Sequence, residues 1–539
     1  MNLLKSILQK ITNLISNLTQ RQFLVLVFII GSPAYFLNLG TIPIIGDEGI
    51  RNLVALEMKL SGNFIVPTLN GELYLNKPPL FNWLIYVSSE VLGQYGEWPS
   101  RLLNLLFLFI YAFTVYYWSS KYQSFANPLL LALMLLTSGR ILFWDSMFGL
   151  IDICFSWIVF LNFMLLYHFG NQRKWISCFL ASYLLCSIAF MLKGLPALVF
   201  QAISIIATLI YFEAFKKQII SWKHTLAALA GMLPVMVYYC VYMNFVPLDQ
   251  VFAVLMDQSM QRTATHHGVF KMIIHIFTFP FEQVYHFLPW SLFIVFLFSR
   301  KFWQWIQSNQ FVKFNLVILL ANLPVYWLSV EVYPRYLLMF IPLFNVIVVY
   351  LYDQWSHWSP KFTQLFYKAF VAIAALLTIV SFCLPLYPGS EKLSNLIQIW
   401  AASCILLTCM MIPIWKFKQQ WMIWFALFIF GIRIVFNFTV LPVRAISEKS
   451  YTCKMDAKRI HDQYHQFNWY VFDSTEMHQI SRFYMTNYYQ EIITKKKIAN
   501  DTMGLYLVDS EKYPDFSGVK QDSLYVETGK FLHLMKWKQ

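Results

Sequence analysis

Apolar residues in this chain come in runs long enough to cross a bilayer, and no other feature constrains its fold as strongly. A helix needs about 20 predominantly apolar residues to span the hydrocarbon core, where every backbone N–H and C=O must be satisfied within the segment itself. Such runs begin near Gln22, Arg101, Asn127, Asp152, Trp175, Leu195, Thr225, Tyr285, Phe314, Arg335, Ala369, Leu396 and Trp421, which predicts about thirteen spans. Several contain Gly or Pro, as membrane helices tolerate. A chain of 539 residues would otherwise suggest several soluble domains. Its 13% charged content, about half that of a soluble domain, excludes that reading. The expected fold class is an all-α polytopic membrane protein, with the tail considered below as a separate domain.

The 41 Lys and Arg outnumber the 27 Asp and Glu. No nucleic-acid motif accompanies the excess, so no nucleic-acid partner is expected, and cation-rich cytoplasmic loops account for it. Lys121, Arg173 with Lys174, Lys216 with Lys217 and Lys223, Arg300 with Lys301, Lys361 with Lys368, and Lys416 with Lys418 all fall on one side of the alternating spans. By the positive-inside rule that side is the cytoplasm. The N-terminus then lies in the cytoplasm and an odd number of spans places the tail on the outer face of the cytoplasmic membrane. Three parts are expected: an interfacial amphipathic helix over residues 1–21, acting as part of an uncleaved anchor; a transmembrane domain over 22–440; and an outer soluble domain over 441–539. The tail alternates apolar and polar residues at Trp469–Phe472 and Leu505–Val508, with turn signals at Asp515 and Gly518, the pattern of a small α/β or α+β domain. The eight cysteines show neither metal nor redox spacing.

Two outer segments, about 40–100 and 246–282, are too long to be simple turns, and loops of that length are usually functional. The first opens with Gly46-Asp47-Glu48-Gly49 at the end of the first span. Two adjacent carboxylates supply a base and a neighbour able to tune it, or else Asp47 caps a helix with Glu48 in its first turn. Further along, Tyr74-Leu75-Asn76-Lys77-Pro78-Pro79 sets a lysine before a stiff double proline. A lysine so held suits a phosphate as a point charge, or reaches for lipid headgroups.

Charges at membrane depth cost several kcal/mol unless paired or wet, so they mark functional sites. Asp152 is such a residue, with Asp145 just outside it, and Lys193-Gly194 runs against the positive-inside trend and calls for an anionic ligand or an acidic partner such as Asp152. The second segment carries Arg262, His266-His267 and Lys271, and Arg335-Tyr336 add an outward cation and a hydroxyl. The two histidines are the only candidates for a divalent metal; a site needs three ligands or more, and the expectation is no metal.

Taken together these residues resemble the GT-C type lipid-linked sugar transferases, the family that includes the aminoarabinose transferase acting on lipid A and the protein O-mannosyltransferases. The resemblance rests on Gly46-Asp47-Glu48, Ser61-Gly62-Asn63-Phe64, Pro67-Thr68-Leu69-Asn70-Gly71, Tyr74 to Pro79, Arg101, Asp152, Lys193-Gly194, His266-His267 and Pro289-Trp290 in that order, over about the first 350 residues. It implies a multispan helical core with a catalytic cavity on the outer face. It also implies transfer of a sugar, with inversion, from polyprenyl phosphate (undecaprenyl phosphate in bacteria) to a membrane lipid, envelope glycan or protein acceptor. On that reading Asp47 is the acceptor-side carboxylate with Glu48 beside it, and Asp152 orients acceptor or cations. Lys77, Lys271, Arg335 and Tyr336 hold the donor phosphate, and Tyr74, Lys193, Arg262, His266 and His267 contact substrate.

One departure stands out. Members acting on lipid A usually carry an acid just before the loop lysine, where this chain has Asn76. That weakens both a metal at the histidine pair and any transfer of the aminoarabinose specificity. A transporter or lipid flippase is the alternative reading of a many-span protein with intramembrane charges, although carriers place them near the midplane and often show repeated halves.

Overall fold

The computed structural model describes residues 20–260 and 269–538. Arg262, His266 and His267 therefore lie outside the described residues, as does nearly all of the expected 1–21 helix. Eight of the described helices are long and apolar enough to cross a membrane, nine with the bent pair Pro128–Leu136 and Gly139–Met147. These nine coincide with the runs expected from Arg101, Asn127, Asp152, Trp175, Thr225, Arg335, Ala369, Leu396 and Trp421. Of the other four, the run near Leu195 gives Pro196–Tyr211, that near Tyr285 breaks at the 3-10 segment Trp290–Leu297 and that near Phe314 gives Gln310–Asn322, all short of full span length, while the run near Gln22 is described as helix over Gln20–Phe36. Their outward faces carry the signature of lipid contact. On Glu97–Tyr122, Leu106, Phe113 and Tyr117 recur at helical spacing and are 54%, 65% and 45% exposed, a stripe that water would not tolerate at this scale.

The chain divides into two compact units, one comprising residues up to Leu39 with Gln364–Val443, the other Gly40–Thr363 with Arg444–Gln539. In the first, a fully buried arginine is explained by a helix end. The last four carbonyls of a helix have no partner within it, and in Gln20–Phe36 one of these, Ala34, accepts from Arg433 Nε at 3.2 Å and from Asn437 Nδ2 at 2.9 Å.

The second unit holds the elements that matter for function. The first long segment is ordered as helix α1 (Asp47–Ser61), a two-strand hairpin β1 (Thr68–Leu69) and β2 (Glu72–Leu73), and helix α2 (Leu80–Leu92). Membrane-length helices α3 (Glu97–Tyr122), α4 (Ile151–Asn171) and α5 (Trp175–Lys193) follow, then α6 (Leu248–Met260) in the second long segment. The tail contributes α7 (Lys449–Tyr464), β3 (Asn468–Phe472), α8 (Gln479–Tyr489), β4 (Thr494–Lys496), β5 (Gly504–Val508), β6 (Gly518–Tyr525) and β7 (Phe531–Trp537). The five tail strands form one mixed sheet in the order β4-β3-β5-β7-β6, parallel where β3 meets β4 and β5 and antiparallel elsewhere. Val471 pairs with Leu507 and Leu507 with Leu534, so one sheet face is a row of aliphatic side chains. That face shares a core with Ile480 and Phe483 of α8 and with Ile44, Leu53 and Leu56 from the first long segment. Helix α1 is thus core to the tail domain on one face while Val54 and Met58 pack with Tyr74 on another, and every residue from Arg51 to Met58 is buried.

Glu48 anchors the start of that helix. Its carboxylate, fully buried, receives Arg101 Nε at 2.9 Å and Nη2 at 2.8 Å, the Gly149 N–H at 2.8 Å and Ser100 Oγ at 3.4 Å. A paired fork of this kind suits arginine and carboxylate. Glycine is required at 149, since a Cβ there would stand 2.3 Å from Ser100 Cβ. Arg101 also donates to the Ile42 carbonyl at 2.7 Å. Nearby, Glu97 takes Lys454 Nζ at 2.7 Å and the Tyr484 hydroxyl at 2.9 Å, and that hydroxyl accepts the Ile44 N–H.

Removing one partner of a buried pair leaves the other charge uncompensated at a cost of about 3–5 kcal/mol. Glu48→Ala is therefore expected to lower the apparent unfolding temperature of the detergent-solubilised protein sharply. Glu90→Ala, which breaks the exposed pair with Lys59, should leave it unchanged within error.

Candidate active site

Consecutive residues on a helix point about 100° apart, and this separates the two adjacent carboxylates. With Glu48 turned into the Arg101 clamp, Asp47 turns the other way. Asp47 is the first helical residue, Gly46 precedes it, and no side chain caps the helix. The carboxylate of Asp47, 51% exposed, instead meets Arg335 Nη2 at 2.5 Å. Arg335 Nε lies 3.2 Å from Asp152 Oδ2, and Asp152 Oδ1 takes Lys193 Nζ at 2.5 Å. The four side chains form one chain of charge, Asp47–Arg335–Asp152–Lys193, in which Asp152 and Lys193 are buried and Arg335 is 13% exposed.

Each member is placed by the end of a helix. Asp152 sits in the first turn of α4, where a carboxylate is favoured, and Lys193 is the last residue of α5, where a cation is favoured. Arg335 opens the segment that leads into Pro334–Trp358. Tyr336 lies beneath Lys193, whose ammonium is 4.0 Å from the ring centroid, and the Tyr333 ring faces the Arg335 guanidinium at 4.5 Å. Such contacts let buried cations keep their charge.

An amphipathic cavity of about 640 Å³ adjoins this chain. Lys77 and Lys193 supply its cationic lining, Leu198, Val199 and Leu255 apolar wall, and Gln258 of α6 accepts from Lys77 Nζ at 3.2 Å. Lys77 is brought there because Pro78 lies beside Gly194, next in sequence to Lys193. Lys271 is exposed on Val269–His286 and does not line the cavity. Tyr74 is buried, with its ring 5.9 Å from the Arg51 guanidinium. Among the described residues no three or more His, Cys, Asp or Glu gather as a metal site.

Arg51 is the residue the sequence reading passed over. It is 7% exposed, its Nη1 has no hydrogen-bond partner among the described residues, and its charge acts on Asp152. The signal lay in its spacing, four residues after Asp47 on the same helical face. Arg51, Lys77, Lys193 and Arg335 thus gather around the Asp47 and Asp152 carboxylates, with Asp145 also within electrostatic reach of Asp152 and Arg335, and cations so gathered suit an anionic ligand.

Fold and site together define a polytopic membrane protein whose largely buried ion-pair chain borders an amphipathic cavity lined by two lysines. That architecture is the fold of ArnT: the chain superposes on the crystal structure of ArnT from Cupriavidus metallidurans bound to undecaprenyl phosphate with a TM-score of 0.68, at 15% identity, over 96% of this chain and 98% of that one. The apo state of the same protein gives 0.63 over 95% and 98% at 14% identity. In sequence, 169 residues are 26% identical to an uncharacterized protein of Aquifex aeolicus (strain VF5), covering 31% of this chain and 34% of that protein. A further 27% identity over 184 residues relates it to the undecaprenyl phosphate-alpha-4-amino-4-deoxy-L-arabinose arabinosyl transferase of Yersinia enterocolitica serotype O:8, over 32% of each. The similarity thus spans about a third of the length of these relatives. No family model matches the chain.

The two carboxylates should respond differently to neutralisation. Asp152→Asn leaves Lys193 and Arg335 buried beside a neutral group, and a loss of about 3–5 kcal/mol is expected. Asp47→Asn removes a half-exposed pair and should cost less than about 1 kcal/mol. Denaturation of the two purified variants in parallel checks the contrast.

Proposed function

We propose that this protein is a membrane glycosyltransferase of the cytoplasmic membrane that moves a sugar from a polyprenyl phosphate donor to a lipid, glycan or protein acceptor at the outer face. The observation that carries the reading is the half-exposed Asp47 carboxylate, joined through Arg335 and Asp152 to Lys193, whose ammonium lines the same cavity as Lys77. The ArnT fold and the undecaprenyl phosphate held by its crystal structure support a polyprenyl phosphate as donor. The orientation follows the positive-inside distribution: cytoplasmic N-terminus, transmembrane catalytic domain over about 22–440 and an outer domain over 441–539.

In this mechanism the donor's isoprenoid chain runs along the apolar wall and its phosphate meets Lys77 and Lys193, with Arg335 and Arg51 adding positive potential. An acceptor nucleophile attacks the anomeric carbon from the face opposite the phosphate. The new C–O bond forms as the bond from that carbon to the phosphate oxygen breaks, so configuration inverts and the phosphate leaves with the electron pair. Of the two carboxylates in the Asp47–Arg335–Asp152–Lys193 series, Asp47 is the one with solvent access, and it receives the acceptor's proton. The cations stabilise charge growing on the phosphate, and losing one such group costs on the order of a hundredfold in rate. Asp152 touches neither reactant; it holds Lys193 and Arg335 in place. Glu48 is a positioning residue that sets the first turn of α1.

The test is release of polyprenyl phosphate from a panel of synthetic hexosyl and pentosyl polyprenyl phosphates by the purified protein in lipid nanodiscs with envelope lipid extract. Wild type releases it from at least one donor, and Lys77→Ala and Asp47→Asn each fall by about a hundredfold or more while remaining folded. Full activity in either variant overturns the assignment of that residue, and no release from any donor overturns the reading.

A further inference from the structure

Helix α8 of the tail domain carries an arginine that ordinary folding does not explain. Arg482 is 1% exposed, yet its Nε and Nη2 find no hydrogen-bond partner among the described residues. Its remaining nitrogen, Nη1, reaches the Asn70 carbonyl at 3.4 Å, in the turn of the β1–β2 hairpin. Burying a guanidinium so poorly satisfied is costly. A counter-charge makes it tolerable: Glu57 of α1 lies close enough to act on it electrostatically.

Glu57 is itself spent on the hairpin. Its carboxylate accepts the Thr68 hydroxyl at 2.7 Å, the Asn70 N–H at 2.7 Å and the Gly71 N–H at 3.1 Å. Asn70 and Gly71 both have positive φ, 63° and 74°, the geometry of a type I′ hairpin turn. Two more contacts tie the hairpin to the tail domain: a Cβ at Gly71 would touch Ile492 at 3.4 Å, and Lys495 Nζ meets Glu72 at 2.9 Å. Burial pushes the Glu57 carboxyl up and the Arg482 guanidinium down to about 10, as expected of ions held out of water.

What the hairpin leads to gives this grip its consequence. The Tyr74 N–H closes onto the Pro67 carbonyl at 2.9 Å, and three residues on stands Lys77, with the stiff Pro78-Pro79 behind it. A hairpin two residues long on each strand cannot hold a register by itself. Glu57 holds its turn through the Asn70 and Gly71 N–H groups and Arg482 through the Asn70 carbonyl.

We infer that Arg482 is a positioning residue by which the tail domain, acting through Glu57 and the Asn70-Gly71 turn, holds Lys77 at the donor phosphate. The tail domain then contributes to donor binding without touching the donor. This inference rests on the proposed role of Lys77 and is tested so that the two fail separately. Undecaprenyl phosphate is titrated onto wild type, Lys77→Ala, Arg482→Met, Arg482→Lys and the double variant Lys77→Ala/Arg482→Met in nanodiscs, with affinity read by native mass spectrometry. Arg482→Met is expected to weaken binding about tenfold, as small displacements of a binding group do, Arg482→Lys to restore most of it, and the effect to vanish in the Lys77→Ala background. Equal weakening by Arg482→Met with and without Lys77 overturns the inference, as does unaltered affinity in the single variant. If Lys77→Ala itself binds like wild type, the reading of Lys77 fails first and the inference falls with it. Should Arg482→Met not fold, Glu57→Gln is measured in its place, since it keeps the side chain's shape and removes the facing charge; a Lys77-dependent loss supports the inference and unaltered affinity overturns it.

Discussion

The fork between Arg101 and Glu48 is the interaction on which the candidate site depends. Arg101 is an ion with no access to water at the mouth of a membrane-length helix, and only a fully engaged carboxylate makes that tenable. Glu48 supplies it and in doing so fixes the rotation of α1 about its axis. The rotation turns Asp47 toward Arg335 and lays the opposite face of α1 into the aliphatic core of the tail domain. One buried pair therefore determines both where the Asp47 carboxylate stands and what supports the helix that carries it.

From that anchor the charges follow a simple logic. Asp152 is sandwiched between Lys193 and Arg335, and Arg335 extends the pairing to Asp47, so each inner charge is compensated by the next. The outer ends differ. At one end stands a half-exposed carboxylate, at the other an ammonium that shares a cavity wall with Lys77, with Arg51 adding one more buried positive charge. An arrangement that gathers cations at one end and offers a half-exposed carboxylate at the other suits the proposed reaction, in which a phosphate departs as a nucleophile is deprotonated.

Much of this was legible in the chain. Nine of the thirteen expected apolar runs became membrane-length helices, and the alternating tail became a sheet at the places where alternation was seen, Trp469–Phe472 and Leu505–Val508. The runs near Leu195, Tyr285 and Phe314 fell short because hydropathy measures composition and not continuity: the run near Tyr285, for example, breaks where a 3-10 segment follows Pro289. Asp47, Lys77, Asp152, Lys193 and Arg335 stood out in sequence because charges are rare in apolar surroundings. Arg51 did not, because its helix is polar enough to make an arginine look ordinary.

The sequence by itself determined the solvent of this protein, the places of most of its membrane-length helices and the identity of the expensive charges, because hydrophobic runs and isolated ions are local properties of a chain. Only the tertiary structure decided which charge answers which. Glu48 and Asp47 are neighbours in sequence with opposite fates, and Glu57 and Arg482 are 425 positions apart by number yet meet the same hairpin turn and act on one another electrostatically. Electrostatic energy depends on distance and burial, which the fold sets and residue order does not.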